Sequence, residues 1–215
     1  QRACELARER VSERTYRQEW GAEFIEDAGV FRRVREAATA TKQDAPIPGH
    51  QYIMGADWGR SFDATVLTVI DATTSEACYV DRMLDTDYRL QTSRLRALAQ
   101  RFNVAQIVAE TNSMGGPLVE QLLNEGLPVF GFQTTNASKA ILIDALALAF
   151  ERGLLRIIDD PQMIAELQAY EAERLPGGLI RYSAPDGFHD DHVISLALAW
   201  SAAQRVGMEY VRFLA

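Results

Sequence analysis

Three short apolar runs follow one another in the first half of the chain: QYIMGADWG (51–59), ATVLTVIDA (64–72) and EACYVDRMLD (76–85), each bounded by Gly, Asp, Thr or Ser. Runs of this length and β-branched character between turn formers predict strands. Three in succession with short connections predict an antiparallel meander. The period then changes, because Leu90, Leu95 and Leu98 in YRLQTSRLRALAQRFN recur at helical spacing before the apolar strand VAQIVAET. A helix at MGGPLVEQLLNEG and a strand at LPVFGFQ repeat that unit. A long helix is then expected from Asn136, as N-cap, to about Arg152. DPQMIAELQAYEAER predicts a further helix with proline in its first turn. After PGG, LIRYSA predicts a short strand, and a last helix runs from about Asp190 to Arg205. There is no internal repeat and no low-complexity segment.

Antiparallel strands, then alternating helices and strands, then helices predict an α/β domain whose mixed sheet is covered by helices on both faces. That order is the one found in ribonuclease H-like domains. Ahead of it, the first thirty or so residues are rich in Arg and Glu at amphipathic spacing, and TATKQDAPIPGH is polar and carries proline. The expected organisation is a helical linker or arm over 1–47, with arginines at 8, 10, 14, 17, 32, 33 and 35, and a body over 48–215. Because the chain opens without Met, inside an amphipathic pattern, it is expected to be a piece of a longer protein.

Composition narrows the class. With 215 residues and 47% hydrophobic content the chain can bury one sizeable core. Two cysteines, Cys4 and Cys78, build neither a disulfide framework nor a cysteine-rich zinc site, and a reducing, intracellular setting is expected. No apolar run approaches the roughly 20 residues of a membrane span, and the N-terminus has no signal-peptide core. A soluble protein without membrane contact is expected. The net charge of −8 argues against a constitutive, tight nucleic-acid binder that works by neutralising phosphates. Carboxylates that hold metal ions would make a nuclease locally acidic all the same.

Asp57 ends an apolar strand and is followed by Trp58 and Gly59, and Glu110 ends the strand QIVAE in the same way. In GFHDDHVISLALAW, Asp190 and Asp191 stand at the lip of an apolar helix. Strand-end aspartates are also ordinary turn residues, so convergence of the three elements is the test. If they converge, an all-oxygen donor set suits hard ions such as Mg²⁺ or Mn²⁺, two of which can clamp the attacking and leaving oxygens of a phosphodiester. His189 and His192 flank the aspartates and offer a zinc alternative, weakened by the absence of sulfur ligands nearby.

YIMGADWGRSFDATVLTVID, IVAETNSMGGPLVEQL, FQTTNASKAILIDALALAFERGLLRI and GFHDDHVISLALAW, in that order, resemble the C-terminal nuclease domain of the large terminase subunit of tailed bacteriophages. The resemblance covers nearly the whole chain from Tyr52 onward. It implies a ribonuclease H-like endonuclease that cuts double-stranded DNA with two metal ions during genome packaging. Asp57 would bridge both metals, Glu110 would be the second carboxylate, and the Asp190–Asp191 pair the helix-borne ligand, with Asp191 favoured as the direct one. Asp63 matches a further acidic position, or it is a turn aspartate holding the hairpin. Lys139, just inside a helix N-terminus that would favour phosphate, matches a lysine common in such domains, or it is a solvated surface residue. Arg60 and the TNSMGG loop would contact the DNA backbone, and His189 would position water or phosphate, or cap its loop.

The chain has no G-x-x-x-x-G-K-[ST] phosphate loop. The resemblance therefore implies an ATPase motor elsewhere in the full-length protein, with the small terminase subunit and the portal protein as partners and the host cytoplasm as the setting. Two rivals remain. One is a non-catalytic ribonuclease H-like docking or DNA-guiding module. The other is a relative of the actin and sugar-kinase ATPases, for whose second half 215 residues leave no room.

Overall fold

In the computed structural model, which describes residues 29–59, 63–174 and 180–214, the three early apolar runs pair as the meander their pattern predicts. β1 (Tyr52–Asp57) and β2 (Thr65–Asp71) are antiparallel from Tyr52↔Asp71 to Asp57↔Val66, and β3 (Glu76–Met83) continues the ladder. Helix α2 (Tyr88–Phe102) then crosses over to β4 (Gln106–Glu110), which pairs parallel with β1. Helix α3 (Gly115–Asn124) leads to β5 (Val129–Phe132), parallel to β4. A two-residue strand, β6 (Arg156–Ile157), closes the far edge, giving the order β5-β4-β1-β2-β3-β6.

β1 and β2 are buried at every position because both faces of the sheet are covered. Met54, Ala56, Leu67, Val69, Ile107 and Ala109 face a core built with Leu95, Leu98 and Phe102 of α2 and Val119 and Leu122 of α3. Their sequence neighbours Ile53, Ile70 and Val108 face the opposite core. That second core contains Ile143 and Phe150 of α4 (Asn136–Glu151), Leu167 of α5 (Pro161–Ala169), and Val193 and Leu196 of α6 (Asp191–Leu214). The two-residue period of the strands thus sorts side chains between two helical layers.

α6 lies directly on β1 and β2. Gly55 permits this approach, since a Cβ there would stand 2.0 Å from the Ser195 carbonyl oxygen and 2.6 Å from the Ala199 nitrogen. Ser195 Oγ donates to the Gly55 carbonyl at 3.0 Å and lies 2.9 Å from Thr68 Oγ1, so the buried hydroxyl is satisfied by the strands beneath it.

Several boundaries differ from the sequence pattern. The N-cap of α4 is Thr135, not Asn136: its backbone is extended and its side chain accepts from Ser138 N at 3.1 Å, in a capping box with Ser138. Helix α5 stops at Ala169 instead of continuing to Arg174. Tyr170 is extended, stacks on Phe31 with ring centroids 5.6 Å apart, and its carbonyl accepts from Val30 N. The residues beyond it form β7 (Glu171–Arg174), antiparallel to β8 (Ile180–Ser183). α6 runs past Arg205 to Leu214.

Of the expected arm, residues 1–28 lie outside the described residues. From Gly29 the chain lies on the body: Val30, Phe31, Val34 and Ala37 are buried in the α4–α6 core, the last two in a helical turn, α1 (Val34–Ala37). No helix among the described residues is long and apolar enough to cross a membrane.

Candidate metal centre

β1 and β4 run side by side in parallel, paired at Ala56↔Ala109, so the next residue of each, Asp57 and Glu110, ends its strand at the same sheet edge. The β1–β2 connection brings Asp63 and Ala64 back to that edge, and α6 starts above it with Asp191. Ala64 N donates to Asp191 Oδ2 at 3.0 Å and ties the hairpin to the first turn of the helix. The result is a cleft of about 220 Å³ lined by Asp57, Glu110, Asp190, Asp191 and Asp63, together with Trp58, Thr134, Lys139 and Ile194.

Burial and like charge dominate its electrostatics. Asp57 is 8% exposed, and its carboxyl is held well above the ordinary range, first by burial and then by the charges of Glu110, Asp191 and Asp190. Burial also pushes Asp191 up, to about 6, opposed by the Ala64 N–H and reinforced by Glu166, Asp63 and Asp190. Asp190 has a counter-charge, Lys139 Nζ, 2.9 Å from its Oδ2. Lys139 reaches it from the first turn of α4, with its ammonium 5.7 Å from the Tyr170 ring centroid.

Asp57, Glu110, Asp63, Asp190, Asp191 and Lys139 therefore share one cleft. His189 stands beside it, with Nδ1 3.4 Å from Asp63 Oδ1. His192 turns the other way, into the protein, where Nδ1 meets Glu166 Oε1 at 2.8 Å, so the two histidines do not converge. Arg60 lies outside the described residues. Among the described residues, no three His, Cys, Asp or Glu side chains are drawn together tightly enough to hold an ion as they stand. The donor chemistry nevertheless fits a hard divalent cation: every acidic group in the cleft offers oxygen, no sulfur lines it, and the like charges crowded around Asp57 are of the kind a divalent ion offsets.

Two contacts support the site, and the first of them escaped the sequence pattern. Trp58 Nε1 donates to the Glu110 carbonyl at 3.1 Å and bridges the ends of β1 and β4. Gly115 lets α3 start against that junction, since a Cβ there would be 2.1 Å from the Glu110 carbonyl oxygen and 3.1 Å from Trp58 Cδ1. An aromatic residue directly after a strand-ending carboxylate is the one local signal for the first of these.

Residues 54–201 match the family described as the terminase RNaseH-like domain. The large terminase subunit of Thermus phage G20c is 31% identical in an alignment of 196 positions that covers 86% of this chain and 40% of that protein. The chain belongs to the terminase ribonuclease H-like family. Among solved structures, the large terminase nuclease of phage G20c with bound magnesium superposes on this terminase domain with a TM-score of 0.75 at 28% identity. The match covers 82% of this chain and 98% of that one. The same phage nuclease has also been crystallised with bound cobalt and with bound zinc. The large terminase nuclease domain of Thermus phage P74-26 matches with a TM-score of 0.72 at 28% identity, over 80% of this chain and 94% of its own. This terminase domain spans about 40% of the length of the curated relatives it matches.

Proposed function

We propose that this terminase domain is a divalent-metal-dependent endonuclease that hydrolyses phosphodiester bonds of double-stranded DNA during viral genome packaging, using two Mg²⁺ or Mn²⁺ ions. The observation that carries this reading is the meeting of Asp57, Glu110 and the Asp190–Asp191 pair, from two strands and a helix, in one cleft. The metal-bound crystal forms of a related terminase nuclease support it.

Asp57, placed between Glu110 and α6, is the ligand that both ions would share, and Glu110 and Asp191 complete the oxygen set. The Ala64 N–H, by occupying Asp191 Oδ2, orients that carboxylate toward its role. Asp190 serves as second ligand or as outer support, held by Lys139. Asp63, on the hairpin side, is a further acidic candidate. When bound, the ions would supply a water of lowered pKa and a counter-charge for the departing oxygen. Lys139, exchanging Asp190 for a phosphate oxygen, together with His189 and Arg60, would hold the DNA backbone, so cleavage is expected to be largely indifferent to sequence. An ATPase motor in the same full-length protein, the small terminase subunit and the portal protein are the proposed partners, in the host cytoplasm.

Nicking and linearisation of supercoiled plasmid by the purified chain with Mg²⁺, Mn²⁺ or EDTA, beside Asp57→Asn, tests the proposal. Metal-dependent cutting that disappears in the variant is expected. Intact plasmid with both metals at high protein concentration would instead favour a non-catalytic docking module or a nuclease gated by its motor.

A further inference from the structure

Glu166 is a charged residue buried to 4% exposure on α5, outside the cleft, and both its carboxyl oxygens are taken by one residue. Oε2 accepts the backbone N–H of His192 at 2.8 Å, and Oε1 lies 2.8 Å from His192 Nδ1. His192 is 1% exposed and directly follows Asp191. Whichever partner carries the ring proton, the carboxyl group grips main chain and side chain of the same residue. The first N–H groups of a helix have no partner inside it, and here one is satisfied by a neighbouring helix. The grip is also specific in angle, because a slip of α6 by one residue would turn the ring of His192 by roughly 100° away from Glu166.

The gripping helix is itself fixed. Asp160 Oδ1 caps α5 by accepting from Gln162 N at 3.0 Å and Met163 N at 2.9 Å, while Met163, Ile164 and Leu167 are buried in the core. Asp191 is thereby held at two levels, its carboxylate by Ala64 and its backbone through Glu166 and His192.

We propose that Glu166 is a positioning residue, which through its two contacts with His192 sets the place of Asp191 in the cleft and with it the affinity for the divalent ion. This rests on the metal-site reading given above. A buried pair that served folding alone would contribute to stability and leave ion binding untouched.

The test is Mn²⁺ titration of the chain by electron paramagnetic resonance, with wild type, Glu166→Gln and His192→Ala, alongside melting in EDTA and plasmid cutting. Glu166→Gln replaces one acceptor by a donor and should weaken Mn²⁺ binding about tenfold, as outer supports of metal ligands do. It should lower kcat and leave the KM for DNA unchanged. His192→Ala keeps the backbone contact and should show a smaller loss. Should Glu166→Gln fail to fold, His192→Ala decides. Wild-type Mn²⁺ affinity and kcat in the folded variants, even with lower melting temperatures, would overturn the positioning role alone. A wild-type chain that binds no Mn²⁺ would overturn the metal site and this role together.

Discussion

Asp57 is the residue at which folding and chemistry pull in opposite directions. Its burial and its three carboxylate neighbours raise its pKa well above the ordinary range, so the ionised form that a metal requires is the form the fold disfavours. Asp57→Asn removes that conflict and should stabilise the metal-free chain at neutral pH by about 1 kcal/mol, which raises Tm by roughly 2–4 °C for a domain of this size. The same change should abolish plasmid cutting. Differential scanning calorimetry in EDTA checks the first expectation; a lower Tm in the variant would refute it. Asp191 carries a pH signature. Its carboxyl is raised from 3.8 to about 6, so the folded chain keeps a proton that the unfolded chain releases. Its contribution to metal-free stability is therefore present at low pH and lost as pH rises through that window. A divalent ion competes with the same proton, so the Mn²⁺-induced gain in Tm should be small near about pH 5 and grow as pH passes about 6. Melting curves with and without Mn²⁺ across that range measure it, and a gain independent of pH would count against Asp191 as a ligand.

Among elements, the contact of α6 with β1 decides the most. The aspartates at the head of α6 meet the strand ends because Gly55 lets the helix backbone lie on the strand. Gly55→Ala places a methyl group 2.0 Å from a backbone oxygen that no rotamer change can move, and should cost roughly 3 kcal/mol in urea unfolding. Since the variant lifts α6 from the sheet, its Mn²⁺ affinity should fall as well. The start of α4 is a milder case: Thr135→Ala removes the cap that accepts from Ser138 N and should cost about 1 kcal/mol. That helix also presents Lys139 to Asp190, so the cap acts at the site through its first turn.

For the molecule as a whole, a net charge of −8 limits any affinity for DNA that comes from phosphate neutralisation. With about two phosphate contacts, raising salt from about 50 to about 200 mM should weaken DNA binding roughly tenfold, a slope that fluorescence anisotropy on a random duplex reads directly. A much steeper slope would require a basic surface beyond Lys139, Arg60 and His189.

The layered fold was legible in the sequence because strand and helix periods are local. Continuous apolar runs at 52–57 and 65–71 announce strands covered on both faces, and carboxylates at 57 and 110, at the ends of such runs, stand out against them. Local propensity misread 170–174, where charged helix formers follow α5, because the burial of Tyr170 against Phe31 and the pairing of β7 with β8 outweighed it. It also missed β6, whose two residues are too few to show a period. The sequence by itself determined the order of the longer strands and helices and the oxygen chemistry at their ends. Only the tertiary structure decided that Asp57, Glu110 and Asp191 face one cleft, that Lys139 pairs with Asp190, and that His192 turns inward to Glu166. These are contacts between residues 26 or more positions apart. Side-chain period is set by neighbours along the chain, whereas the choice of partner is set by how helices and sheet pack.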